Sequence, residues 1–105
     1  MLLESRASIN EPTADGWSSL MIASKNGHEP IVRVLLDAGS LVSYVKPGSG
    51  HTSLHAASQM GHAECVRLLL DARAQVDAIR LDDGWTSLMY ACRHGHAPCV
   101  RLVRE

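Results

Sequence analysis

Three histidines recur at a fixed interval, and imidazole rings are common ligands of metal ions. His28, His62 and His96 are each separated by 34 residues. Equivalent positions on packed neighbouring helices lie roughly 8–10 Å apart, whereas a single zinc ion needs every ligand nitrogen at about 2.0–2.1 Å. The three rings therefore cannot share one ion, and we predict no metal site.

The three cysteines could supply a disulfide or a nucleophile. Cys65 and Cys99 also lie 34 residues apart, so the same spacing exceeds the roughly 4.4–6.8 Å that separates the Cα atoms of a disulfide. Cys92 and His94 are two residues apart, and such side chains point in different directions on a helix. No phosphate-binding glycine loop, HExxH sequence or paired-carboxylate motif is present. We predict free thiols, no catalytic residue and no cofactor, and hence a chain that is not an enzyme.

A column of arginines could bind a polyanion, since Arg33, Arg67 and Arg101 share the 34-residue spacing. An acidic residue follows each arginine by four positions, which is the same helical face, at Asp37, Asp71 and Glu105. We expect these pairs to neutralise the column locally. The net charge of −1 also provides no basic surface, so we expect neither nucleic acid nor membrane as a partner.

Composition indicates one small folded domain. The chain has 105 residues, of which 46% are hydrophobic and 20% are charged, which is too apolar for a disordered tail. No segment reaches the roughly 18 apolar residues of a membrane helix, and the sequence that begins at Met1 lacks the pattern of a secretory signal. An odd number of cysteines favours a reducing compartment, so we expect a cytoplasmic or nuclear protein.

The 34-residue interval extends to whole segments of the chain. Residues 15–37 and 83–105 are identical at 12 of 23 positions, and residues 49–71 share 12 of 23 with 83–105. Each unit predicts two short helices and an arm. Ser18, Thr52 and Thr86 can cap the first helix, a glycine at position 27, 61 or 95 can end it, and Pro30 and Pro98 suit the start of the second helix. Residues 40–49 and 74–83 have the composition of turns.

These segments resemble the ankyrin repeat, most closely at Thr52–Ala57, Gly61, His62 and Val66. A tetratricopeptide array has the same period, but about a third of each unit here has the composition of an arm. The resemblance implies an all-α fold, an ankyrin-type helix-turn-helix solenoid with β-turn or hairpin arms. It also implies that each recurring histidine bridges backbone groups at an inter-helix turn. Thr52 and His55 form a structural pair in this interpretation. Arg73 replaces the usual glycine after the second helix.

The period divides the chain into four parts. We predict a remnant of a preceding repeat at residues 1–13, repeat 1 at 14–47, repeat 2 at 48–81 and repeat 3 at 82–105, truncated in its second helix. Neither end has a clear polar capping helix of the kind that terminal repeats need. We therefore expect a piece of a longer array, with neighbouring ankyrin repeats among its partners.

The resemblance places partner contacts at the arm tips and on the outer face of each first helix. Residues at these positions differ between units, whereas the residues that pack against neighbouring units are repeated. Such variation is typical of a surface that contacts a partner. We predict no catalytic or metal-binding residue among them, and the candidate partner-binding residues are Trp17, Ile22, Lys25, Asn26, His51, Ala56, Gln59, Met60, Asp82, Asp83, Trp85, Tyr90, Arg93 and His94.

Two interpretations of the tryptophans stay open. Trp17 and Trp85 are identical residues at equivalent positions, so they could pack between arms as framework, whereas Tyr90 and Met60 are better candidates for partner-specific contacts.

The predicted function is a non-catalytic protein-interaction module that binds a protein or extended peptide in a rigid groove. The alternatives are a structural spacer, and a regulatory or substrate-receptor segment of a larger multidomain protein.

Overall fold

Three pairs of helices build the part of the chain that the structure, a computed structural model, describes, which is residues 9–104. Their bounds are α1 Ser19–Asn26, α2 Glu29–Asp37, α3 Ser53–Met60, α4 Ala63–Asp71, α5 Ser87–Arg93 and α6 Ala97–Val103. No residue from 9 to 104 lies in a β-strand, so the predicted all-α class is confirmed. Residues 1–8 of the predicted remnant, and Glu105, lie outside the described residues.

A hydroxyl residue caps the first helix of every pair, as predicted. Ser18 Oγ accepts the Met21 backbone N–H at 3.1 Å, and Thr52 Oγ1 accepts that of His55 at 3.2 Å. Thr86 Oγ1 accepts the equivalent N–H at 3.3 Å. Each cap satisfies one of the backbone donors that the first turn of a helix leaves without a partner.

A glycine and a histidine couple each helix pair to the next. Gly27 and Gly61 end α1 and α3 in the left-handed conformation, with φ of 73° and 78°. A Cβ atom on Gly61 would lie 2.6 Å from the His96 ring, and one on Gly27 would lie 2.6 Å from the His62 ring. The His62 Nε2–H donates to the Lys25 carbonyl at 3.1 Å and that of His96 to Gln59 at 3.0 Å. The imidazoles thus bind backbone at the preceding turn.

The helices form two layers. The first helices, α1, α3 and α5, pack in sequence as an inner layer, and the second helices, α2, α4 and α6, pack in sequence as an outer layer. Between the layers lies an apolar core of residues that are at most 5% exposed, including Leu20, Leu54, Val32, Val66 and Leu69. Burying a side chain of this size contributes about 1.5–3 kcal/mol, so each pair is stabilised by the core that it shares with its neighbour.

The arms that join the pairs are hydrogen-bonded turns. In the first arm, residues 38–52, the Lys46 N–H donates to the His51 carbonyl at 2.8 Å. In the second arm, residues 72–86, the Arg80 backbone N–H donates to the Trp85 carbonyl at 3.0 Å. The arms also bind each other, because the Leu81 N–H donates to the Ser49 carbonyl at 2.6 Å. This contact sets the separation of the two arm tips.

One packing expectation is wrong in detail. Two arginines of the column pair with acids that precede them: Arg33 pairs with Glu29 at 2.7 Å and Arg67 with Glu64 at 3.5 Å, rather than with Asp37 and Asp71. The reason is that helical side chains lean toward the N-terminus of their helix.

The buried face of α2 is narrow. Val32 of α2 is fully buried, but Ile31 is 52% exposed and Val34 is 60% exposed. No helix in residues 9–104 combines the length and the apolar character needed to cross a bilayer.

Arg73, which replaces the usual glycine after the second helix, adopts the left-handed conformation. Its φ is 74°, and among residues 9–104 it is the sole residue other than glycine with a positive φ. The equivalent position after α2 is Gly39, with φ of 99°. An L-residue in this region carries a cost of roughly 1–2 kcal/mol, so the junction after α4 is strained where the junction after α2 is not.

Candidate functional site

A cavity of about 430 Å³ opens between the two arm tips and the inner helices α1 and α3. We call it the arm cavity. Ligand-binding pockets commonly have volumes of roughly 300–1,000 Å³, so this is large enough to take part of a partner. Its lining residues are Trp17, Lys25, Lys46, Ser49, His51, Ala56, Gln59, Met60, Arg80 and Asp82.

The close approach of the two arms forms the floor of the cavity. Gly50 has a φ of 76°, and a Cβ atom there would lie 2.9 Å from the Ile79 carbonyl oxygen and 2.9 Å from the Leu81 nitrogen. Only glycine fits both the conformation and the space. Because Gly50 lets the second arm pack against the first, Arg80 and Asp82 reach the same opening as Trp17 and His51.

A row of five aromatic rings connects the arm cavity to the third pair. The ring centroids of Trp17 and His51 are 5.1 Å apart, those of His51 and His55 5.8 Å, and those of His55 and Tyr90 5.9 Å. The ring centroids of Tyr90 and Trp85 are 5.2 Å apart. Rings with centroids at these separations attract one another, so the row stiffens the surface that carries both tryptophans. Both tryptophans thus contact neighbouring rings and are only partly exposed.

His51 is the polar residue most deeply placed in the cavity wall. It is 6% exposed, and its Nε2 atom has no hydrogen-bond partner among residues 9–104. Burial lowers the pKa of His51 to about 4, and the positive charge of Arg80 adds to the effect. The ring is therefore neutral near pH 7, and its buried Nε2 atom is a donor or acceptor without a partner among residues 9–104.

His55, the next ring in the row after His51, uses both of its ring nitrogens in hydrogen bonds to the backbone. Its Nδ1 accepts the Thr52 backbone N–H at 3.1 Å, which places the ring proton on Nε2. That Nε2–H is shared between the carbonyls of Ala78, at 3.0 Å, and Trp85, at 3.2 Å. Burial lowers the pKa of His55. The predicted structural pairing of Thr52 with His55 is confirmed, and the same ring also holds the second arm.

Three cations surround the opening of the arm cavity. Lys25 Nζ lies 5.3 Å from the centroid of the Trp17 ring, within the range of a cation–π contact. Arg80 binds the Asp82 carboxylate at 2.6 Å. Within residues 9–104, neither Lys25 nor Lys46 takes part in an ion pair. The lining thus has three positive side chains and one negative, which is already bound.

At the corresponding place between the second and third pairs, the chain supplies a tyrosine and an acid of its own. Tyr90 stands where the second unit has Ala56, and Asp83 stands where it has Ser49. Tyr90 is 5% exposed, and its hydroxyl donates to the Asp83 carboxylate. This hydrogen bond lowers the pKa of Asp83, whereas burial and the same bond raise that of Tyr90 to about 12. The burial of Tyr90 argues against its predicted role as a direct contact, because its ring belongs to the wall.

The predicted site residues therefore separate into groups. One group lines the arm cavity: Trp17, Lys25, His51, Ala56, Gln59, Met60 and Asp82. A second group clusters around Tyr90, where Arg93 lies 5.4 Å from the Trp85 ring centroid and Asp83 accepts the tyrosine hydroxyl. The remaining predicted residues, Ile22, Asn26 and His94, are exposed outside the lining of the cavity.

Three lining residues were missed by the sequence analysis: Lys46, Ser49 and Arg80. A signal was available, because Lys46 and Arg80 are basic residues in the arms at the 34-residue spacing.

Cys65 and Cys99 are buried free thiols and Cys92 is exposed. His94 stacks on His96 with 5.9 Å between ring centroids. In the described residues, no three histidine, cysteine or acidic side chains are grouped so that they could hold a metal ion.

Helix pairs stacked in two layers, coupled by a histidine at each turn, define a helical solenoid. The family description "Ankyrin repeats (3 copies)" matches residues 40–105, and "Ankyrin repeats (many copies)" matches residues 1–36. This chain therefore belongs to the ankyrin repeat family. Ankyrin repeats are generally protein-interaction modules and are typically non-catalytic.

Curated relatives share a short part of the chain. The NAD-capped RNA hydrolase NUDT12 is 44% identical over 39 residues in Homo sapiens, Pongo abelii and Macaca fascicularis. The match covers 37% of this chain and 8% of each hydrolase. The similarity thus concerns one small segment of those enzymes.

Proposed function

We propose that this chain is a non-catalytic module that binds a protein or an extended peptide along the inner helices and the arm tips. The observation that carries this proposal is the arm cavity, an opening of about 430 Å³ lined mainly by residues that differ between units. The mechanism is preorganisation, since the packed helix pairs and the aromatic row leave little to be ordered when a partner binds. Binding takes place in the cytoplasm or nucleus, where Cys65 and Cys99 stay reduced.

The chemistry of the cavity supports a mixed contact. Met60 is 47% exposed at the rim, and a thioether adapts to apolar side chains of different shape. Trp17 and Gln59 provide an aromatic face and a hydrogen-bonding amide. A partner segment lying across the cavity would therefore use both apolar and polar groups.

The experiment is a selection of binding peptides by display on the chain, followed by measurement of their affinity for variants. Met60→Ala is compared with Ile31→Ala, which removes an apolar side chain of similar exposure, 52%, from the outer layer. We expect Met60→Ala to weaken binding about tenfold, the loss typical of a central contact, and Ile31→Ala to leave it unchanged. Equal losses, or no selected peptide, would refute the proposal.

A second candidate is a spacer or regulatory segment within a larger protein. It is supported by the hydrolases, in which the similar 39 residues make up 8% of an enzyme. Such a segment would bind its own protein through the outer layer or the ends of the stack. In that case Ile31→Ala, rather than Met60→Ala, would alter the contact.

A further inference from the structure

Two buried nitrogen atoms in the wall of the arm cavity lack hydrogen-bond partners. They are His51 Nε2 and Arg80 Nε, both without a partner among residues 9–104. His51 is 6% exposed, so the wall and not bulk water surrounds its ring. Buried polar atoms in folded proteins are nearly always paired. Arg80 Nε–H is a donor, and His51 Nε2 is a donor in one of its two neutral tautomers, so the pair favours a ligand that accepts hydrogen bonds.

The charges around the opening favour an anion. Lys25 and Lys46 are free of ion pairs within residues 9–104, and Arg80 still has Nε unused after binding Asp82. A cavity with low-dielectric walls and an excess of one charge attracts the opposite charge. Asp82 offsets one of the three cations and leaves two.

The third unit shows which anion fits at the positions equivalent to Ser49 and Ala56 of the second unit. There the chain supplies a carboxylate, Asp83, bound to the hydroxyl of Tyr90. The Arg80 guanidinium lies 5.7 Å from the centroid of the Tyr90 ring, so this arginine borders both spaces. In the arm cavity, Ser49 and Ala56 replace these two residues. At one place the chain thus supplies its own acid near this arginine, and at the other, beside the same arginine, it supplies none.

We propose that the arm cavity binds the carboxylate of an aspartate or glutamate side chain presented by the partner. Lys25, Lys46 and the Arg80 guanidinium attract the carboxylate into the opening, and the side chains of His51 and Arg80 turn to bring the buried Nε2–H and Nε–H to its oxygens. This rests on the proposed function, because the acidic residue belongs to the segment that lies across the arm tips.

The first test uses a capped amino acid as the probe. The His51 ring and the Trp17 indole of the isotope-labelled chain are followed by NMR during titration with N-acetyl-glutamate N-methylamide. The matched probe is the capped glutamine, which has the same shape without the charge. Charge-assisted hydrogen bonds are about twice as strong as neutral ones, and we expect binding to be about tenfold weaker for glutamine. Equal binding of the two probes would overturn the proposal, as would equally strong binding of inorganic phosphate.

The second test fills the cavity in the way the chain already does. The double variant Ser49→Asp, Ala56→Tyr copies the arrangement of Asp83 and Tyr90, and we expect it to abolish binding of the glutamate probe. Lys25→Gln provides a milder change should the double variant fail to fold, with an expected loss of about threefold, and Arg67→Gln is its control. Arg67 has the same charge but is on α4, outside the cavity. Equal effects of Lys25→Gln and Arg67→Gln would contradict the assignment.

The display experiment separates this proposal from the broader one. If peptides are selected and need Met60 but tolerate replacement of their acidic residues by amides, the groove function stands and the carboxylate site is refuted. If selected peptides lose binding with that replacement, both stand. If no peptide is selected, the groove function itself fails, whatever the capped glutamate does.

Discussion

Gly61 offers a direct test of how neighbouring helix pairs are coupled, because the chain contains a matched control. Gly61 and Gly95 both have left-handed backbones, with φ of 78° and 72°. A Cβ atom on Gly61 would lie 2.6 Å from His96 Nδ1, whereas one on Gly95 would meet no atom within 4 Å. Substituting alanine at each position therefore imposes similar backbone strain but displaces a histidine at only one of them.

The magnitudes follow from these two contributions. The left-handed conformation costs an alanine roughly 1–2 kcal/mol at either position. At Gly61 the His96 ring must also move and lose its hydrogen bond to the Gln59 carbonyl, 3.0 Å away. Leaving such a group without a partner costs about 1–3 kcal/mol. We expect Gly61→Ala to lower the free energy of unfolding by about 3 kcal/mol and Gly95→Ala by about 1.5 kcal/mol.

Urea denaturation followed by circular dichroism measures both variants on the same chain. A third variant, His96→Ala, completes a double-mutant cycle with Gly61→Ala. In the His96→Ala background the cost of Gly61→Ala should fall to that of Gly95→Ala. Equal destabilisation by the two glycine variants, or additive effects in the cycle, would refute the coupling.

Three further predictions concern stability. Arg73→Gly should raise the free energy of unfolding by about 1 kcal/mol, because it relieves the left-handed arginine; an unchanged urea midpoint would contradict this. Thr52→Ala should lower it by about 1–2 kcal/mol through loss of the cap, measured against Ser19→Ala, an exposed substitution that should have little effect. Because burial lowers the pKa of His51 from 6.5 to about 4, the unfolded chain takes up this proton first. The free energy of unfolding therefore falls as the pH drops through 6.5 toward 4, by at most about 3 kcal/mol. His51→Gln should flatten this part of the profile of stability against pH, measured by urea titration.

The caps and the glycine turns could be predicted from the sequence because each follows from local rules repeated at a fixed interval, whereas the histidine contacts were expected from the resemblance to ankyrin repeats. Ser18, Thr52 and Thr86 need only a backbone N–H three residues ahead, and that requirement is visible in the chain. The partners of Arg33 and Arg67 were predicted wrongly, because spacing alone allows an acid on either side. The direction in which helical side chains lean decides between them.

The arm cavity could be predicted only in part. Its inner-helix residues, such as Lys25 and Gln59, follow from their position in the unit. Lys46 and Arg80 enter because the arms pack against each other through the contact of Leu81 with Ser49, and pairing between arms is not encoded in local pattern. Tyr90 shows the opposite limit. Its variability between units suggested a contact, but the residue is 5% exposed and its hydroxyl already binds the acid seven residues before it.

The histidine contact between units gives the stack a polarity. Each unit packs a histidine ring against the turn of the unit before it, and its own glycine contacts the ring of the unit that follows. The two faces of a unit are therefore unlike. Within residues 9–104 the direction is the same at both joints, because Gly27 faces the His62 ring and Gly61 faces the His96 ring. A contact that continues this pattern joins unlike surfaces. Such heterologous contacts extend into open-ended chains unless a rotation closes them, and length is therefore limited by what caps the ends rather than by the joint itself.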